Sequence, residues 1–231
     1  LLPTESAAVA FGRRAQAVDV LRSDAGLDVA SAGGAVDERE RREFLRYLDQ
    51  HARAEAGEVA QILGDDGAEV AGYARTTARA AGIATASRAP RRIADLGCGA
   101  GTYTLALLAR WPEATAVLVD RANAEGIVAE AIAGIAARAR FVAADLLGAD
   151  WVPAVAGSEL ILVSNMIHNV GPADAAGLIQ RATEALAPGG RLAIKDFFLR
   201  DDRSGPPGAL RFALQMAMTA SGGDLYPCGQ I

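Results

Sequence analysis

The stretch 93-IADLGCGAGTYTLALLARWP-112 constrains this chain more than any other. A short apolar run from Ile93 to Leu96 meets glycines at alternate positions, Gly97, Gly99 and Gly101. An apolar segment of helical period follows at once and stops at Trp111-Pro112. This order reads as a strand, a tight turn and a helix. Glycines in such a turn let the backbone come close to a bound ligand, because a side chain would hold it off.

From Ile93 onward the pattern alternates. Short Val/Ile/Leu-rich runs predict strands at Arg92–Leu96, Ala116–Asp120, Ala139–Ala143, Leu160–Ser164 and Gly190–Phe197. Between them, helical periodicity predicts Thr102–Arg110, Asn123–Ala137 and Ala173–Leu186. Strands that are apolar on both faces and separated by helices imply an α/β fold with a doubly wound, mostly parallel sheet. Ligands in such sheets bind outside the carboxyl ends of the strands.

The first part of the chain is different. Residues 1–85 are Ala- and Arg-rich and read as a helical N-terminal segment, and residues 86–231 read as the ligand-binding domain. The clearest N-terminal helix is 37-DERERREFLRYLDQHARAEAGEVAQIL-63, with Asp37 at its start and acids in its first turn. Phe44, Leu45, Leu48 and Ala52 fall on one face of it. A second helix is expected at Ala68–Gly82, and 85-TASRAPRR-92 reads as the loop that delivers the chain to the first strand.

Composition narrows the function. The formal charge is −5 and the basic residues are interspersed with acids, so no stripe suited to nucleic acid arises. Lys195 is the only lysine, an Arg bias that reads as compositional rather than functional. No apolar run reaches the roughly 18 to 20 residues that a membrane span needs. The first residues, LLPTESAAVAFGRR, lack the basic-then-apolar order of a signal peptide. Cys98 and Cys228 are too few and too far apart for a disulfide scaffold or a zinc site. A reduced, cytoplasmic enzyme without a bound metal is the expectation.

Two ligand classes compete for the turn. A dinucleotide fingerprint, G-x-G-x-x-G, would need its third glycine at position 102, which is Thr. Asp95 precedes the turn, and its carboxylate would repel a pyrophosphate and favour an ammonium. Asp120 ends the second strand in 116-AVLVDR-121, where an acid accepts ribose hydroxyls. Asp145 is expected to end the third strand in 141-FVAADLL-147, a placement suited to an adenine amino group.

With those residues in view, DLGCGAGTY resembles the first motif of the class I S-adenosylmethionine-dependent methyltransferases, over roughly Ile93 to Gly223. The resemblance implies a Rossmann-like methyltransferase fold, with S-adenosyl-L-methionine as donor and S-adenosyl-L-homocysteine as product. It also implies a cofactor site at Asp95, Gly97, Gly99, Gly101, Asp120, Asp145, Leu146 and Ser164. The stretch 160-LILVSNMIHNVGPADAAGLIQRATEALAPGGRLAIKDFFL-199 is similar to the branch that methylates phenols, flavonoids and polyketides. There His168 matches the family histidine, Asn169 its neighbour, Pro188-Gly189-Gly190 a turn and Asp196 the strand-end acid. In 214-LQMAMTASGG-223, Met216 matches a methionine that lies against the acceptor ring. A small-molecule substrate and a homodimer are further implications of this likeness.

Chemistry supports the assignment from a second side. Methyl transfer from a sulfonium needs the acceptor oxygen in line and within about 3–3.5 Å. A neutral phenol is a poor nucleophile, so a base that takes its proton helps by about 10²–10⁴-fold. A histidine is mostly neutral near pH 7 and suits that task. An acid on its other nitrogen would hold the tautomer and stabilise the imidazolium. His168 as base and Asp196 as orienter are the expected pair. His51, on the Arg-rich helix, reads as solvated or packed.

Three departures from the family pattern qualify the reading. About 85 residues precede the turn, too few for both a winged-helix dimerisation domain and the linking helices. A further orienting Glu is expected past the GG turn, where this chain has Asp224. The chain stops at Ile231, where another helix and a strand pair are expected, so the last strand is left at an open edge and a truncated chain is the expectation. Alternatives are a family member with non-methylating chemistry, a non-catalytic cofactor-binding scaffold and an NAD-dependent oxidoreductase. Thr102 and Asp95 speak against the last.

Overall fold

The computed structural model describes residues 38–64, 89–219 and 223–231. The helix expected at Ala68–Gly82 lies outside them. The chain falls into two compact units, a larger one of Val36–Met166 and Asp174–Asp196, and a smaller one that includes Ile167–Ala173 and Phe197–Ile231.

In the larger unit, five parallel strands form one sheet in the order β3-β2-β1-β4-β5. They are β1 (Arg92–Leu96), β2 (Thr115–Asp120), β3 (Ala139–Ala143), β4 (Ser158–Ser164) and β5 (Leu186–Lys195). This is the doubly wound α/β fold expected. The chain runs outward from β1 to β3, then crosses back to place β4 on the other side of β1. The switch point therefore lies between β1 and β4, which is where such sheets open a crevice. Register aligns the carboxyl ends there, with Leu96 opposite both Val119 and Val163. Leu160, Ile161, Leu162 and Val163 are all fully buried along β4, as a strand covered on both faces requires.

Helices follow the expected periods with adjusted ends. Helix α2 (Thr102–Arg110) matches the expected span. It ends because Pro112 cannot continue it, and Trp111 closes the last turn onto the Leu107 carbonyl at 2.9 Å. Arg138 donates to the carbonyls of Leu108, Pro112 and Ala114, which would otherwise be orphaned at the helix end. The helix expected at Asn123–Ala137 is regular only as α3 (Glu125–Ile132), and tighter single turns flank it. A short helix, α4 (Val152–Val155), was not expected. Helix α5 (Pro172–Ala185) precedes β5.

β5 begins earlier than the expected Gly190 and ends at Lys195, short of the expected Phe197. Pro188-Gly189-Gly190 therefore lies within the strand, and the pairing with β4 shifts register between Ser158 and Leu160. A bulge of this kind absorbs residues that cannot join the ladder. β3 and β5 are the sheet edges among the described residues.

Helix α1 (Glu38–Gly64) packs against α2 in the larger unit. The expected apolar stripe holds only in part: Leu48 is 43% exposed and Ala52 partly buried, whereas Ala56 and Ala60 are buried with Leu107, Leu108 and Trp111, and the Phe44 side chain lies outside the described ones. Alanines on the contact face let two helices approach closely.

In the smaller unit, helix α6 (Pro207–Thr219) contributes Ala209 and Met216 to an apolar cluster with Leu199 and Leu225. Leu199 pairs with Pro227, and the Tyr226 hydroxyl donates to the Val170 carbonyl.

Candidate active site

The glycine turn hangs on two strands. The amides of Gly97 and Cys98 both donate to the Val119 carbonyl of β2, at 2.8 and 3.2 Å. Gly97, Gly99 and Gly101 all have positive φ, at 76°, 55° and 79°. At Gly101 a Cβ would meet the Leu118 side chain at 3.0 Å, so both conformation and space call for glycine. Gly101 then starts α2, whose first bond is from the Leu105 amide to the Gly101 carbonyl at 3.0 Å.

Three acids end or follow successive strands. Asp120, half-buried at the end of β2, accepts the Gly99 N–H at 2.8 Å and the Arg121 N–H at 2.7 Å. Burial raises its pKa against the lowering effect of those amides. Asp95, near the end of β1, is fully buried and accepts the Thr104 hydroxyl at 2.7 Å through Oδ2. Its Oδ1 has no hydrogen-bond partner among the described residues. Burial raises its pKa to about 6, the Thr104 hydroxyl opposes this, and the neighbouring Asp120 adds to it. A buried carboxylate oxygen without a donor is costly, and a cationic donor at the turn would relieve it. A ligand bearing an ammonium suits that oxygen better than a pyrophosphate, whose charge has the same sign.

Asp145 is exposed, two residues past β3, and accepts the Leu147 amide at 3.0 Å in a local turn. Leu146 is buried, 3.7 Å from where a Gly97 Cβ would stand, and Met166 lies 3.5 Å from the same point. These two apolar side chains flank the first glycine. Ser164, buried, is the last residue of β4. All eight expected cofactor residues are thus in the larger unit, at or just beyond the carboxyl ends of β1 to β4.

The acceptor-side residues divide between the units. Asp196 is half-buried, one residue past β5, and is the last residue of the larger unit. His168 belongs to the smaller unit, on a single tight turn, Ile167–Asn169, and is 7% exposed. Its ring meets Phe212 edge-on with centroids 4.9 Å apart, and Phe197 at 6.5 Å. Asn169 is exposed, Met216 is buried in the cluster with Leu199, and Asp224 is exposed.

Sequence reasoning missed several groups. Thr104 and Met166 carried no signal, being an ordinary helix Thr and an apolar residue. Arg181 of α5 donates to the carbonyls of Leu146 and Leu147, at 3.3 and 3.2 Å, and so steadies the loop of Asp145. The buried Trp151 indole donates to the Leu146 and Gly148 carbonyls of the same loop. Lys195 binds Glu55 at 2.6 Å and Asn165 at 3.0 Å, although its rarity in the sequence reads as compositional. Its place at a strand's carboxyl end was the available signal. Among the described residues no group of His, Cys, Asp and Glu would hold a metal, and no helix is long and apolar enough to cross a membrane.

Residues 93–190 match the family model described as a methyltransferase domain. Over 110 residues the chain is 42% identical to a trans-aconitate 2-methyltransferase of Acidovorax sp. (strain JS42), covering 46% of this chain and 38% of that protein. Over 146 residues it is 29% identical to a 3-hydroxy-5-methyl-1-naphthoate 3-O-methyltransferase of Streptomyces sahachiroi, covering 62% and 41%. The chain spans less than half the length of the curated relatives it matches. An O-methyltransferase family protein from Burkholderia thailandensis shares the fold, with a TM-score of 0.73 at 22% identity over 96% of this chain and 61% of that one. An O-methyltransferase family 2 protein from Planctomyces limnophilus, solved in complex with apigenin, gives 0.66 at 28% identity over 86% and 54%.

Proposed function

We propose that this chain, whose residues 93–190 match a methyltransferase domain, is a class I S-adenosylmethionine-dependent enzyme that moves a methyl group to a hydroxyl of a small aromatic molecule. One observation carries the donor part: the buried Asp95 Oδ1, without a partner among the described residues, just ahead of a glycine turn whose Gly99 amide is held by Asp120. Asp95 would face the aminoacyl ammonium, Asp120 the ribose hydroxyls, and Asp145 with Leu146 the adenine. Gly97, Gly99 and Gly101 give the backbone its approach, and Ser164 lines the β4 side. When bound, S-adenosylmethionine supplies an electrophilic methyl group on a sulfonium.

His168 is the group that would take the acceptor proton at a ring nitrogen, and the family likeness gives Asp196 the part of orienting acid. The aromatic side chains around His168 suit a ring-bearing acceptor, with Asn169 and Met216 as further contacts. A homodimer and a cytoplasmic location belong to the same proposal and rest on the likeness to the family.

Calorimetric titration with S-adenosylhomocysteine, NADH as comparison, tests the donor. Binding of the first alone is expected, weakened by about tenfold to a hundredfold in Asp120→Ala, the range for hydrogen bonds to a charged group. Binding of NADH instead would sink the reading. His168→Ala is expected to lower the rate on a phenolic acceptor by about 10²–10⁴-fold at unchanged donor affinity.

One observation favours a second reading. The relatives at 42% identity are named for trans-aconitate, so the acceptor oxygen here would belong to a carboxylate, already ionised at pH 7. No base is then needed, and His168→Ala would leave the rate within a few-fold, which separates the two.

A further inference from the structure

At the carboxyl ends of β4 and β5, four side chains from four elements of the larger unit converge. Lys195 is the last residue of β5. Its ammonium meets Glu55 of α1 at 2.6 Å, the Asn165 side-chain oxygen just past β4 at 3.0 Å, and the Tyr103 ring of α2 at 5.7 Å from the centroid. The Tyr103 hydroxyl donates to the same Glu55 carboxylate at 3.2 Å. Asn165 is fixed in the left-handed region, φ 50°, and its amide donates to the Lys195 carbonyl at 2.7 Å. The two residues are bonded in both directions, and the ammonium is therefore held at a set place on the ligand side of the sheet.

The pair is unequal. The Lys195 side chain is 26% exposed and the Glu55 side chain 49%. Burial works against the lysine's charge, but the Glu55 carboxylate outweighs it and raises the pKa, so the group stays an ammonium at neutral pH. A half-exposed ion pair contributes only about 0–1 kcal/mol, because water competes for both charges. A carboxylate in a place with less water gains more from the same cation. Glu55 is the partner that can leave, since solvent receives it readily and Lys195 is anchored at its backbone and by Asn165.

We propose that Lys195 with Asn165 and Tyr103 is a carboxylate-binding subsite, and that Glu55 is its internal stand-in, displaced when a ligand carboxylate arrives. This rests on the donor reading given above and adds the chemical class of a ligand group. The carboxylate has two possible sources, the aminoacyl end of the donor and an acid group on the acceptor. Lysine suits either, being a compact point charge with donors that turn to meet one oxygen. No bond is made or broken; one ion pair is exchanged for another.

Wild type, Lys195→Met, Lys195→Arg and Glu55→Gln are titrated, after melts confirm folding, with S-adenosylhomocysteine and with 5′-methylthioadenosine, which lacks the aminoacyl part. Protein saturated with S-adenosylhomocysteine is then titrated with 3-hydroxybenzoate against phenol and with 3-hydroxy-2-naphthoate against 2-naphthol. Lys195→Met is expected to weaken the carboxylate member of one set by about tenfold or more and leave its neutral partner unchanged. The set affected identifies the source. Lys195→Arg recovers part of the loss. Glu55→Gln strengthens the same carboxylate by up to about fivefold, because the stand-in competes less.

Glu55→Gln weakening the ligand as much as Lys195→Met would overturn the proposal and make the pair a clamp between α1 and the sheet. A wild type that prefers no carboxylate to its neutral partner, or a Lys195→Met variant without effect, also overturns it. Failure of wild type to bind either adenosyl compound sinks the donor reading instead.

Discussion

The two halves of the sheet, divided at the β1–β4 switch point, are built on different plans. On the β1–β3 side three acids, Asp95, Asp120 and Asp145, stand at or beyond the strand ends. They accept hydrogen bonds from the backbone amides of Gly99, Arg121 and Leu147 and from one nearby hydroxyl, that of Thr104. On the β4–β5 side Lys195, next to the acid Asp196, is held by Glu55 of α1 and by Asn165 just past β4. The acid side is assembled from a strand, its turn and the next strand. The cationic side takes its partners from the ends of β4 and β5 and from the helix before the sheet. The first suits a ligand's hydroxyls and ammonium, and the second a carboxylate.

The largest expected effect removes the support of the acid side. Trp151→Ala leaves a cavity beside the loop of Leu146 and is expected to destabilise the fold by about 3–5 kcal/mol, read by denaturant titration. No such loss is expected from Lys195→Met, whose partner Glu55 is half-exposed, so equal losses would erase the contrast.

Asp95 gives the next effect, through pH. Its folded pKa of about 6 lies above the ordinary aspartate value of 3.8. Between the two, the folded chain holds a proton that the unfolded chain has released, so stability falls as pH rises through about 6. Relative to Asp95→Asn, wild type is expected to lose up to about 3 kcal/mol between pH 4 and pH 7. Affinity for S-adenosylhomocysteine runs the other way, weakening in wild type below pH 6 because the ammonium needs the charged acid. A flat stability difference between wild type and Asp95→Asn would show that burial does not tune this carboxyl.

The smallest effect concerns Arg181. Its two bonds to the Asp145–Leu147 loop predict that Arg181→Ala costs about 1 kcal/mol, with a few-fold loss in donor affinity as the loop loosens. Unchanged affinity with the stability loss intact would confine its role to the fold.

Much of this was legible in the residues. The span of α2 and the ends of β1 and β3 agree with the periodicity, since short parallel strands and a glycine-started helix are set by local pattern. β5 was misjudged because Pro188-Gly189-Gly190 reads as a turn, whereas a register shift against β4 carries it inside the strand. The stripe expected on α1 is only partly right, because α2 meets the face of Asp49, Ala56 and Ala60 and leaves Leu48 exposed beside it.

By itself the sequence determined the glycine turn, the acids that end the strands and the alternation that makes the sheet parallel. Each depends on φ preferences, on side-chain period or on residues within one strand-turn-helix unit. Only the tertiary structure decided that Asp95 keeps an oxygen without a partner among the described residues, that Met166 and Leu146 flank Gly97, and that a lone lysine meets Glu55. Burial and ion pairing depend on distance in space, and elements far apart in the chain supply the partners only after the fold has brought them together.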